Sequence, residues 1–183
     1  TRVDLIFENP YGDSILIILA GLHLDIDQNC LSCSLNCGGD SCFCPEKAVS
    51  QGEFLAMVVK TLNIPAQENA YDALPADTPT WLKPYLAAAI RSGLTANLSQ
   101  DFRADAPITA EDAAVILQNA LDLSVSTDAD MGDQTVAVIA MTVMADHGVN
   151  LPAGEVLTRA DAAQVLYRVS QLAQFAPGMS VFR

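Results

Sequence analysis

Apolar side chains recur at helical spacing in several blocks of this chain. The clearest block is residues 157–172, LTRADAAQVLYRVSQL. Ala162, Val165, Leu166 and Val169 fall on one stripe, the three- and four-residue spacing of a single buried helix face. Thr158 stands just ahead of that stripe, and Asp161 follows it by three residues. A hydroxyl in that place accepts a backbone N–H of the first turn, and the acid suits the positive end of the helix dipole.

Weaker copies of the pattern open at Ser50 and Thr109. Four, seven and eight residues beyond the three caps stand Phe54/Met57/Val58, Ala113/Ile116/Leu117 and Ala162/Val165/Leu166, which predicts three helices with the same buried register. Leu62, Leu121 and Val169 extend the stripes. Ahead of each capped helix lies a shorter apolar block closed by glycine and an aliphatic residue. The first is a helix over 15–20 closed by Gly21-Leu22, after strand-like residues at 3–7. The second carries Trp81, Leu82, Tyr85, Leu86, Ala89 and Ile90, has Pro84 in its first turn, and stops at Gly93-Leu94. The third starts near Asp133, carries Val136, Ile139, Ala140 and Val143, and stops at His147-Gly148-Val149. Glycine suits these ends because it accepts a left-handed conformation without steric cost.

The order helix, glycine plus aliphatic, proline-containing loop, Ser/Thr-x-x-acid, helix therefore occurs three times. The caps at Ser50, Thr109 and Thr158 are 59 and then 49 residues apart, and the loops absorb the difference. Such units cannot each bury a face alone, so three should pack together. The boundaries expected are a first unit at 1–66 with a cysteine-rich insertion at 30–44, a second at 67–124, a third at 125–173, and a tail at 174–183. Pro177-Gly178 in the tail stops the last helix.

Composition narrows the function. The chain has 183 residues, half of them hydrophobic, with 22 acids against 9 bases and a net charge of −13. A nucleic-acid partner is not expected, because phosphate binding needs a basic face and the bases do not cluster. No apolar run, 15–20 included, is longer than six residues, far short of a membrane span. No Ser/His/Asp order, phosphate loop or paired-carboxylate arrangement stands out, so a non-enzymatic role without cofactors is expected.

These motifs resemble the S-layer homology family, whose repeats read roughly Phe-x-Asp…Trp-Ala…Gly-Ile/Leu…Phe-x-Pro…Ile-Thr-Arg-Ala-Glu-Phe. Leu157-Thr158-Arg159-Ala160-Asp161 matches the last motif closely. Ile108-Thr109-Ala110-Glu111-Asp112 keeps its frame without the arginine, and Val49-Ser50-Gln51-Gly52-Glu53-Phe54 keeps its ends. Trp81 stands at the family's Trp, Phe102-Arg103 at Phe-Arg, and Phe43-Cys44-Pro45 at Phe-x-Pro. The resemblance covers about residues 4–173 and implies an all-α fold: three helical-hairpin repeats in a pseudo-threefold arrangement around a central three-helix bundle.

It also implies a function, a non-catalytic anchor that binds an anionic secondary cell-wall polysaccharide, often bearing a pyruvate ketal. The setting would be extracellular, on a bacterial surface, with the anchored activity in upstream domains of a longer parent protein. The motif arginine of that family points into a groove between repeats, where a guanidinium fork can grip a carboxylate bidentately. Only Arg159 retains it here, with Gln51 and Ala110 at the matching positions. The glycan-binding candidates are Arg159, Thr158, Asp161, Trp81 and Arg103. Two other readings stay open. One is a degenerate copy serving as a protein-interaction scaffold, and the other is a metal-binding domain built on the cysteines.

All five cysteines, Cys30, Cys33, Cys37, Cys42 and Cys44, lie within one segment of fifteen residues. Disulfides lead among their readings, since they suit an exported protein and an insertion with little core of its own. An odd number leaves one thiol free or paired outside the chain. Zinc would want paired C-x2-C arms that this spacing lacks. An iron–sulfur site is suggested by Cys44-Pro45 alone. The acidic run from Asp25 fails as a calcium loop, with Cys30 where glycine belongs and Asn36 where a bidentate Glu belongs.

Overall fold

The computed structural model describes residues 45–66, 71, 74–98, 102–123, 136–152 and 156–175. They contain five helices: α1 Gln51–Thr61, α2 Lys83–Arg91, α3 Ala110–Ala120, α4 Val136–Asp146 and α5 Arg159–Phe175. The fold is helical, and the β pairing among the described residues is confined to three isolated bridges. The helix expected over 15–20 with Gly21, the acidic run from Asp25, the cysteine segment and the tail beyond Phe175 lie outside the described residues.

The three expected caps form. Ser50 Oγ accepts the Glu53 N–H at 3.2 Å, and the Glu53 carboxylate accepts the Ser50 N–H at 2.9 Å, a complete capping box at the start of α1. Thr109 Oγ1 accepts the Asp112 N–H at 3.2 Å to open α3. At α5, Thr158 Oγ1 accepts the Asp161 N–H at 3.2 Å, and Asp161 Oδ2 accepts from the Thr158 N–H at 3.0 Å and from its hydroxyl at 2.6 Å. Each cap satisfies a donor that the helix itself leaves without a partner.

Four helices end the same way. After α2 the Gly93 N–H donates to Ile90 O and the Leu94 N–H to Ala89 O; after α4 the Gly148 N–H donates to Ala145 O and the Val149 N–H to Met144 O. This is the paired 5→2 and 6→1 bonding of a Schellman end. Helices α1 and α3 use it too, through Asn63-Ile64 and Asp122-Leu123, with Asn63 at φ 53° and Asp122 at φ 51°. The aliphatic residue after each left-handed position then folds back onto the core.

Helix α2 starts later than its apolar pattern suggests. Trp81 and Leu82 lie in a turn, with the Leu82 N–H donating to Pro79 O at 2.9 Å. Pro84 has no N–H to give, so a ladder begun at Pro79 is interrupted there, and continuous helix runs from Lys83. Leu82, Leu86 and Ala89 are buried as expected, Tyr85 is half-buried, and Trp81 and Ile90 are exposed.

All nine positions read from the caps of α1, α3 and α5 are buried in one contiguous core. Helices α1 and α3 go further: Leu55, Val59, Ala114 and Val115 are buried as well, so both are enclosed on more than one stripe. Helix α1 packs against α3 and α5. The short helices pack backwards, α2 on α1 and α4 on α3. Among the described residues the expected pairing of each short helix with the capped helix that follows it is therefore not the principal one: α2 lies chiefly on α1, and α4 on α3.

The residues just before the caps join the three helix starts. The Val49 N–H donates to Leu157 O at 2.9 Å, the Leu157 N–H to Ile108 O at 3.0 Å, and the Ile108 N–H to Val49 O at 2.9 Å. The bonds close a cycle, and all three side chains are fully buried. Around it the bridges keep one register, each cap facing the residue two before the next cap: Ser50 with Pro107, Thr109 with Val156, and Thr158 with Ala48. Buried backbone groups need partners, and here each helix start supplies them to another.

Candidate functional site

The first turn of α1 is where residues distant in sequence converge. On its backbone, the Gln51 N–H donates to Ala106 O at 2.8 Å and the Gly52 N–H to Ala104 O at 3.1 Å. Gln51 Oε1 also accepts the Arg103 N–H at 2.9 Å, and the Gln51 side chain is buried. Gly52 permits this approach: a Cβ there would stand 2.8 Å from Leu82 Cδ2 and 2.9 Å from Ala104 O. The loop holding Arg103 and the turn holding Trp81 and Leu82 are both seated against this turn.

Arg159 arrives from the start of α5. Its N–H donates to Lys47 O at 2.9 Å, and the next N–H, of Ala160, donates to Pro45 O at 3.0 Å. These repeat the register of Gln51 and Gly52 on the 104–106 loop. The guanidinium Nη2 then lies 3.4 Å from Glu53 Oε1. The Arg159 side chain keeps 14% of its exposure and Glu53 keeps 32%, so the pair sits at the rim and not in bulk water. At that separation the attraction is mainly between charges, with a weak hydrogen bond added. Glu53 thus holds the Ser50 N–H with one oxygen and Arg159 with the other.

The remaining candidates divide. Arg103 is open to solvent, its side chain 71% exposed and 3.8 Å from Asp105 Oδ1. Trp81 is 51% exposed, although a packing role is the commoner use of a tryptophan. Thr158 and Asp161 are engaged with each other in the α5 cap. The residues that stand just after the other two caps, as Arg159 does after Thr158, are shut: Ala110 is fully buried and Gln51 nearly so. His147 Nδ1 donates to Val143 O at 2.8 Å at the end of α4, a place where an imidazole can cap a carbonyl of the last turn.

Two residues of this site escaped the sequence reading. Glu53 reads as a capping acid, and nothing local links it to a residue 106 positions away. Gln51 reads as a lost arginine, whereas it ties α1 to the Arg103 loop. Among the described residues no group of three or more His, Cys, Asp or Glu is placed to hold a metal ion. No helix among them is long and apolar enough to cross a membrane. The five cysteines lie outside the described residues. No protein-family model matches the chain, and no curated protein matches it.

Proposed function

We propose that the chain is a non-catalytic anchoring module of the S-layer homology type: three repeats in pseudo-threefold arrangement around the capped helices, binding an anionic cell-wall polysaccharide outside a bacterial cell. The observation that carries this reading is the closed cycle of backbone bonds from Val49 to Leu157 to Ile108, with the bridges in one register around it. Three structurally alike helix starts arranged head to tail are what a threefold repeat would produce, and the grooves between repeats are where such a module takes its ligand.

Arg159 would supply the charge for the glycan carboxylate at the junction of the third and first units. Trp81 and Arg103, both exposed and both on segments seated against the first turn of α1, would supply a sugar-stacking face and a second cation. In sedimentation with purified bacterial sacculi, the protein should pellet with the wall, and Arg159→Ala should cut the bound fraction several-fold. A wild-type protein that stays in the supernatant with several wall preparations would end this reading.

One observation favours a second reading, a scaffold that has lost glycan binding. Two of the three motif positions are buried without an arginine, and the arginine at the third is already paired with Glu53. Binding to sacculi that is indifferent to Arg159→Ala would favour it.

A further inference from the structure

We infer that Glu53 is a resident competitor of the glycan's anion, a carboxylate held on Arg159 that a ligand must displace or outbid before it can bind. The inference rests on the anchoring reading and adds a control on that same site. Its first support is geometric: Glu53 Oε1 occupies a position 3.4 Å from Arg159 Nη2, where an incoming carboxylate would seek its own contact. The second is exposure. The acid is the more exposed partner, 32% against 14%, so the approach from solvent meets the negative charge at least as readily as the positive one.

The third support is that the acid is tethered. Glu53 Oε2 accepts the Ser50 N–H at 2.9 Å, and Ser50 in turn accepts the Glu53 N–H at 3.2 Å. The carboxylate cannot swing away without opening the cap of α1, so it is a fixed competitor and not a mobile surface charge. A chain of net charge −13 already repels anions at long range, and Glu53 places one negative charge at the contact itself. The consequence is selectivity: a weakly presented carboxylate is turned away, and one whose sugar ring makes further contacts beside it can prevail.

Glu53→Gln separates the two roles of the residue, because a glutamine serves as well as a glutamate in a capping box while carrying no charge. The probe is the methyl glycoside of a hexose bearing a pyruvate ketal, titrated by calorimetry in low salt, with the unketalated glycoside as control. Glu53→Gln should bind the ketal sugar about tenfold more tightly than wild type, and the gain should shrink as salt screens the pair. Arg159→Ala should abolish the difference between the ketal sugar and the control.

An unchanged or weaker affinity in a folded Glu53→Gln protein would overturn the inference and assign Glu53 a positioning role, leaving the anchoring reading intact. If neither wild type nor Glu53→Gln distinguishes ketal from control, both fall together. Should Glu53→Gln fail to fold, the wild type still decides the matter. The side-chain carboxyl carbon of Glu53 should shift in NMR spectra as the ketal sugar is added, and a stationary signal under saturating sugar would overturn the proposal.

Discussion

Gly52 stands where the backbone of α1 meets the Leu82 side chain and the Ala104 carbonyl, and any Cβ would press on both. The carbonyl cannot retreat without releasing its bond to the Gly52 N–H. Gly52→Ala should therefore destabilise the protein by about 1–3 kcal/mol, as overpacking in a well-filled region does, measured by urea unfolding. The side chain of Gln51 next to it is equally tied down, through its bond to the Arg103 N–H. The sequence shows both residues only as departures from a motif. What they do depends on a loop some fifty positions downstream, and no local pattern encodes that meeting. The Glu53–Arg159 pair was hidden for the same reason, although each partner alone could be read: one as a capping acid, one as a motif cation.

Helix boundaries were legible wherever a cap or a glycine marks them. Ser50, Thr109 and Thr158 fixed the start of α1, α3 and α5, and counting from them gave nine positions that are all buried. Trp81 was misplaced because its spacing fits the α2 stripe while Pro84 delays the helix until Lys83. Asn63-Ile64-Pro65 marks the end of α1, whereas the end of α3 was harder to see; Asn63 and Asp122 take the left-handed place that glycine holds in α2 and α4. A side chain in that conformation carries a cost that glycine avoids. Asn63→Gly should leave the fold unchanged and raise stability by up to about 1 kcal/mol, read as a higher urea midpoint at constant slope. A lower midpoint would mean that the asparagine side chain contributes a contact of its own.

Taken as a whole, the molecule depends on the third capped helix reaching the first. The Val49 N–H has its partner in Leu157, and Ile108 O accepts from the same residue. A fragment ending at Leu123 loses both bonds and exposes the face of α1 that α5 covers. It should show helical circular dichroism below that expected for its α1, α2 and α3, and a broad, weakly cooperative urea transition in place of a sharp one. Equal sharpness would show that the first two capped helices suffice. The three capped helices were legible from the sequence; the head-to-tail closure of their starts was not, because it joins residues about a hundred positions apart, beyond any periodic pattern.

That closure also bears on how the protein is made. As the chain leaves a ribosome, the amide of Val49 emerges long before Leu157 exists, and until then its N–H is bonded to water and not to the chain. The third capped helix therefore completes the core of the first: until it appears, the earlier helices form a provisional assembly with apolar surface showing. A nascent chain stalled or clipped ahead of Leu157 would lack the partner of the Val49 N–H and leave bare the face of α1 that α5 covers.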